Sequence, residues 1–251
     1  MTRAAWALDL GTSNTSIARW DPAADRPRLL ELHDLCRVPG GDDHLEAPRL
    51  VPSAVHLLEP DGLWARLGAW GPLRRRLWGH QGLIGRPALD KNAAAPHAAF
   101  APTFKTALSR APLTPLARLG RRTFTARDVA RVFLRELLIA VRAATGERIR
   151  DLVITAPVDA YESYRAELQR LARDLGITRL RFLDEPVAAA IGYGLGQQRR
   201  RHALVVDFGA GTVNVALVAL DARMCMPGIP PRIYILRRYP SAAGAIVLQT
   251  T

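Results

Sequence analysis

The sequence predicts an α/β fold, and three observations carry that reading. From residue 125 to residue 220, segments of helical period alternate with short apolar runs of strand length. An apolar run, a polar Gly-containing turn and a second apolar run occur near the start of the chain and again close to its end. The 251 residues, 49% hydrophobic and 23% charged, suit one large domain or two small ones and exclude wholesale disorder.

In chain order, Ala4-Ala5-Trp6-Ala7-Leu8 and Thr15-Ser16-Ile17-Ala18-Arg19-Trp20 flank the turn Asp9-Leu10-Gly11-Thr12-Ser13-Asn14 and read as a hairpin. Residues 21–124 are irregular and rich in Pro, Gly and His, with strand-like pieces near 29–32 and 53–58. Pro72, Pro87 and Pro96 punctuate residues 71–101, which read as an irregular insertion or a loop with short helices. Thr125-Ala126-Arg127-Asp128 then forms a capping box with Asp in place of the usual Glu or Gln. It predicts a helix in which Val129, Val132, Phe133, Leu137, Ala140, Val141 and Ala144 fall at helical spacing, and which Gly146 terminates. Leu152-Val153-Ile154-Thr155 is a short buried strand stopped by Pro157. Asp159 and Glu162 repeat the capping-box spacing before a helix with Tyr164, Leu168, Leu171, Ala172 and Leu175 on one face and Gly176 after it. Strands over 180–183, 202–206 and 213–220, with a helix of small residues over 186–194, complete the alternation.

The net charge of +12 leaves two readings open, an anionic partner or a coding bias. Of the 35 basic residues only Lys91 and Lys105 are lysines; the other 33 are arginines in a chain rich in Ala, Leu and Pro. The compact runs Arg74-Arg75-Arg76 and Arg199-Arg200-Arg201 lack the interleaved aromatic and Gly residues of an RNA-binding strand, so a nucleic-acid partner is not expected. Uncharged stretches reach 13 residues, as in 92–104, against the roughly 18 of a membrane span. The first residues meet Asp9 before a signal-peptide core develops, so a cytoplasmic protein with no membrane partner is expected. Cys36 and Cys225 are too few for a disulfide framework and are expected to be reduced.

The turn plan Asp-x-Gly with hydroxyl residues recurs as Asp207-Phe208-Gly209-Ala210-Gly211-Thr212. Small residues let backbone N–H groups approach an anion, and the hydroxyls of Thr12, Ser13 and Thr212 add donors. A carboxylate heading each loop suits phosphate only if hydrated Mg²⁺ lies between them. Each loop taken alone is equally readable as a hairpin turn using Asp and Gly for turn chemistry.

These residues resemble the 70-kDa heat-shock chaperones of the DnaK type, in the actin-like ATPase superfamily. The segment from Ala7 to Thr15 resembles that family's first phosphate motif, and Leu204-Val205-Val206-Asp207-Phe208-Gly209-Ala210-Gly211-Thr212-Val213 its second. Val153-Ile154-Thr155-Ala156-Pro157 with Tyr161 and Arg165 is similar to the strand-proline-helix segment, and Phe182-Leu183-Asp184-Glu185-Pro186-Val187-Ala188-Ala189-Ala190 to the connecting motif. Arg49-Leu50-Val51-Pro52-Ser53 is a weaker match.

The resemblance implies an actin-like (ribonuclease H-like) ATPase fold, with a first lobe over 1–200 and the start of a second over 201–251. It implies that Asp9 and Asp207 hold Mg²⁺ through water, and that Gly11, Thr12, Ser13 and Asn14, with Gly209, Ala210, Gly211 and Thr212, grip the phosphates of ATP or ADP. Lys105, Glu185, Asp207 and Thr212 become the catalytic candidates, with Lys91 the competing lysine. Pro157 and Arg165 match a relay between lobes, although a strand-ending proline and a solvated helix arginine would look the same. Unfolded-protein clients and co-chaperones are the implied partners.

Two residues depart from the pattern: Asn214 replaces a usual Asp, and Ala210 the middle Gly of the second loop. The family's adenine-binding segment, its peptide-binding β-sandwich and its lid have no counterpart before residue 251, and Ala242-Ala243-Gly244-Ala245 reads as a degenerate Gly-Gly site. The expectation is a truncated nucleotide domain that binds ATP weakly and hydrolyses little. A nucleotide-binding scaffold without turnover, or another actin-fold member such as a filament former or sugar kinase, are the alternatives. Asp184-Glu185-Pro186 followed by an Ala-rich helix favours the chaperone branch.

Overall fold

The computed structural model describes residues 5–36, 50–59, 80–158, 162–193, 201–209, 213–220, 232–239 and 244–249. The chain divides into two compact units, Met1–Leu152 with Glu162–Leu180, and Val153–Tyr161 with Arg181–Thr251.

The first unit opens with strands β1 (Trp6–Leu10) and β2 (Asn14–Asp21), paired antiparallel from Trp6↔Arg19 to Leu10↔Thr15. Alternation along β1 buries Trp6, Leu8 and Leu10 and turns Ala7 and Asp9 to the other face. β3 (Arg26–Leu29) and the two-residue β4 (Val51–Pro52) both pair with β2. A second sheet has β5 (Val55–Leu57) between β6 (Gly82–Ile84) and β7 (Phe100–Ala101). On β5, His56 is buried with its Nδ1–H on the Leu57 carbonyl, and burial holds its pKa below the ordinary histidine value.

Helix α1 (Arg86–Ala94) lies between β6 and β7, so of the two expectations for this stretch, an irregular insertion or a loop with short helices, residues 80–101 follow the second, with one short helix between short strands. The reason is local: Pro87 reads as a breaker but occupies the first turn of α1, where its missing N–H costs nothing. Gly85, with φ of 65°, makes the entry; a side chain there would meet the Leu35 carbonyl oxygen at 2.4 Å. Residues 71–79 of that expected insertion, and Arg74-Arg75-Arg76 within them, lie outside the described residues.

Helix α2 (Lys105–Arg110) and the hairpin of β8 (Pro115–Leu119) and β9 (Arg122–Thr125) lead into α3 (Ala126–Thr145). Both halves of the predicted capping box are made: Thr125 accepts from the Asp128 N–H, and Asp128 accepts from the Thr125 N–H at 3.0 Å. Gly146 ends α3 in the left-handed conformation, φ 72°. The buried stripe of α3 includes Val129, Val132, Phe133, Leu137 and Val141, and the Phe133 ring lies 5.1 Å from that of Phe104. Its one buried carboxylate, Glu136, is satisfied by His80 Nδ1 at 2.7 Å, the Gln81 N–H at 3.0 Å and Arg135. α4 (Glu162–Asp174) is tied to α3 by a two-pronged ion pair in which Arg127 donates to both oxygens of Glu167 at 2.6 Å. The Asp159 cap predicted for α4 lies outside the described residues, as does Cys225; Cys36 is buried.

Strands β10 (Asp151–Ala156) and β11 (Arg179–Asp184) each begin in the first unit and continue in the second. The second unit also holds α5 (Glu185–Gly192) and a four-stranded sheet ordered β14-β13-β12-β15, from β12 (Arg201–Phe208), β13 (Val213–Leu220), β14 (Arg232–Tyr239) and β15 (Gly244–Gln249). Val187 and Ala190 of α5 pack on Val205, Ala216 and Val218, forming its core. Among the described residues no helix is long and apolar enough to cross a membrane.

Candidate phosphate-binding loops

The two recurrent motifs fold to the same local plan. In the first unit, Leu10↔Thr15 closes the β1–β2 hairpin around a loop of residues 11–14, and Asp9↔Ser16 is the next rung. In the second unit, Phe208↔Val213 closes β12–β13 around residues 209–212, and Asp207↔Asn214 is the next rung. Each aspartate therefore sits one rung behind a four-residue loop, on the strand that enters it. Residues directly opposite in an antiparallel pair share a face. Asn214, the departure noted in the sequence, is thus the cross-strand neighbour of Asp207, and Ala245 flanks it on the other side.

The first loop is tight. A methyl group on Gly11 would stand 2.2 Å from the Asn14 carbonyl oxygen, so only glycine fits. It is also braced from outside: Ser53 Oγ donates to the Gly11 carbonyl at 2.8 Å and is hydrogen-bonded to Thr15 Oγ1 at 2.8 Å, while the Ser53 N–H donates to the Ser13 carbonyl at 2.8 Å. Ser53 and Thr15 are both buried. Sequence reasoning did not single out either as a site residue. The available signal for Ser53 was the weak Val51-Pro52-Ser53 match, and here β4 delivers it to the loop through Asn14↔Pro52. These bonds occupy carbonyls on the inner side of the turn and leave Thr12 and Ser13 half-exposed. Ser53→Ala is expected to cost about 1–3 kcal/mol of stability, because the half-buried Gly11 carbonyl loses its donor and the buried Thr15 hydroxyl loses its acceptor. Thermal and urea unfolding of the variant against the parent check this; an unchanged midpoint would remove the brace.

Asp9 lies on the exposed face of β1. Lys105 is the first residue of α2 and is buried, at 8% exposure, whereas Lys91 is exposed in the last turn of α1. Lys105 is therefore not a surface lysine. In the second unit Asp207 and Gly209 are half-buried, and Ala210, Gly211 and Thr212 lie outside the described residues. Glu185 opens α5 directly after Asp184, the residue preceding the helix, and α5 packs on the strand that carries Asp207. Pro157 follows β10 immediately, and Arg165 is half-buried on α4. The structure brings Asp9 together with Gly11, Thr12, Ser13 and Asn14 on one hairpin, and Asp207 with Gly209 on another.

Residues 47–224 match the family model described as Hsp70 protein. The chain is 32% identical over 111 residues to a ribosome-associated molecular chaperone of Zygosaccharomyces rouxii, covering 43% of this chain and 18% of that relative. It is 34% identical over 98 residues to the chaperone protein dnaK3 of Thermosynechococcus vestitus, 39% of this chain and 14% of the relative. A ribosome-associated molecular chaperone of Saccharomyces cerevisiae is 32% identical over 100 residues, 39% of this chain and 16% of the relative. The chain thus spans less than a fifth of the length of the curated relatives it matches. With the family model covering more than half of its length, the chain belongs to the Hsp70 family.

Proposed function

We propose that this chain is the ATP-binding portion of a DnaK-like chaperone ATPase with an actin-like fold. In this reading the lobes are residues 1–200 and 201–251, and the protein works in the cytoplasm. The observation that carries it is the paired plan of the two hairpins, with an aspartate one rung behind a four-residue loop in each. The first loop also fits the group. Its glycine admits no side chain, its carbonyls are engaged on the inner side by Ser53, and the exposed carboxylate of Asp9 stands beside it.

Magnesium-bound ATP supplies the phosphoryl group that is transferred to water. The backbone N–H groups of residues 11–14 and 209–212 hold phosphate oxygens, as turns built from small residues do, with Thr12, Ser13 and Thr212 adding hydroxyl donors. Asp9 and Asp207 would hold Mg²⁺ through water. The Lys105 ammonium would stabilise charge that develops during transfer and orient the water, and Glu185 would help position the metal and the attacking water. Pro157 and Arg165 belong to the relay that couples nucleotide state to the neighbouring domain.

Fluorescence titration with labelled ATP tests the proposal. Binding is expected to require Mg²⁺ and to weaken at least tenfold in Asp9→Asn, since a carboxamide cannot offset metal charge. Binding that is indifferent to both would contradict it. One observation favours a second reading, a scaffold that binds nucleotide without turnover: the residue across from Asp207 is the carboxamide Asn214 rather than a second carboxylate. That reading predicts ATP binding with no ADP formed.

A further inference from the structure

The arginines of α3 do not all face open solvent. Arg131, Arg135 and Arg142 line a cleft of about 530 Å³ with Arg148 and Arg150 from the α3–β10 connection, and its one lining carboxylate is Asp174, at the end of α4. All belong to the first unit. Arg131 reaches Gln81, and Arg135 is paired with Glu136. Among the described residues, no carboxylate lies within ion-pair distance of Arg142, Arg148 or Arg150. The nearest carboxylates along the chain are committed elsewhere, Glu147 to Arg19 at 2.5 Å and Asp151 to Arg179 at 3.1 Å.

A coding bias toward arginine scatters guanidiniums; it does not draw five of them to one concavity and divert the neighbouring carboxylates. Leu138, Ile139, Ile149 and Leu175 line the same cleft, and Ile139 is 37% exposed. Aliphatic surface beside fixed positive charge matches a peptide bearing carboxylates and aliphatic side chains. Nucleic acid is the less suited polyanion, because no aromatic side chain lines the cleft to stack a base. We infer that the cleft between α3 and the end of α4 is a docking site for an acidic, aliphatic segment of a partner protein. The site uses none of the phosphate-loop residues, so it stands or falls separately from ATP binding.

The test uses the whole 251-residue chain and a fluorescein-labelled twelve-residue peptide of Glu and Leu, read by anisotropy. The peptide is expected to bind, with affinity falling at least tenfold between about 50 and about 300 mM salt as the Debye length shortens. Arg142→Glu with Arg148→Glu should weaken it at least tenfold, and Arg142→Gln with Arg148→Gln should do so less strongly. Arg26→Glu with Arg121→Glu makes the same charge change at exposed sites outside the cleft and should shift affinity less than twofold. All variants are exposed substitutions, and their melting curves confirm folding. Absence of peptide binding, equal loss in the Arg26/Arg121 variant, or tighter binding of a labelled oligouridylate that the Arg142/Arg148 variant abolishes would each overturn the inference.

Discussion

Replacing Lys105 by alanine is expected to lower ATP turnover about 10²-fold, the cost of removing one preorganised electrostatic contact to a developing charge. Lys105 stands at the first position of α2, next to the fully buried Phe104, and is itself only 8% exposed. Lysine is almost never buried without a charged or polar task. In a chain where arginine otherwise replaces lysine nearly everywhere, keeping a compact ammonium at this buried position matches a point-charge role on phosphate. The contact strengthens as charge builds on the transferred group, so kcat should fall far more than nucleotide affinity. The measurement is steady-state turnover, with nucleotide affinity alongside. Lys105→Arg should fail to restore the rate, and Lys91→Ala, at an exposed position on α1, should leave it unchanged. Equal turnover in Lys105→Ala and the parent would remove Lys105 from the mechanism.

Gly11→Val is expected to weaken Mg-ATP binding at least tenfold and to cost about 1–3 kcal/mol of stability, the usual range for forcing atoms into a filled space. The obstacle is the Asn14 carbonyl oxygen, 2.2 Å from where the Cβ would lie. A flexible side chain could swing away, but this oxygen belongs to the loop's own backbone. Ser53 and the Asn14↔Pro52 pairing hold both ends of the loop, so relief requires opening the hairpin and dispersing its N–H groups. Gly192→Ala on α5, where an added methyl meets nothing within 4 Å, is the control. Thermal unfolding and ATP titration give the two readouts, and a Gly11→Val protein that binds like the parent would show that the loop does not grip phosphate.

Where several local signals agree, the fold was legible in the sequence. α3 is the clearest case: a capping box at Thr125 and Asp128, a regular apolar stripe and Gly146 all mark one helix, and each feature is present. The two Asp-Gly hairpins were legible for the same reason, alternation on both sides of a polar turn. Residues 80–101 were legible only as an irregular insertion or a loop with short helices, because strands of two and three residues carry no period, and Pro87 signals a break or a helix start equally well. Asp9, Gly11 and Asp207 are candidates because each stands in a motif. Ser53 escaped because its work is done on Gly11, 42 residues away in sequence, through a strand of only two residues. The burial of Lys105 was equally hidden, since α2 is too short to show a face.

The central claim is that the two loops hold one Mg-ATP, and a double-mutant cycle on Asp9 and Asp207 tests it most directly. Mg-ATP affinity is measured for the parent, Asp9→Asn, Asp207→Asn and the double variant. Groups that share one bound partner couple, whereas independent sites add within about 0.5 kcal/mol. The account predicts that either substitution alone removes most of the Mg²⁺-dependent affinity and that the second adds little. Fully additive losses, or loss from one aspartate alone, would contradict it and leave the two hairpins as separate turns of similar shape.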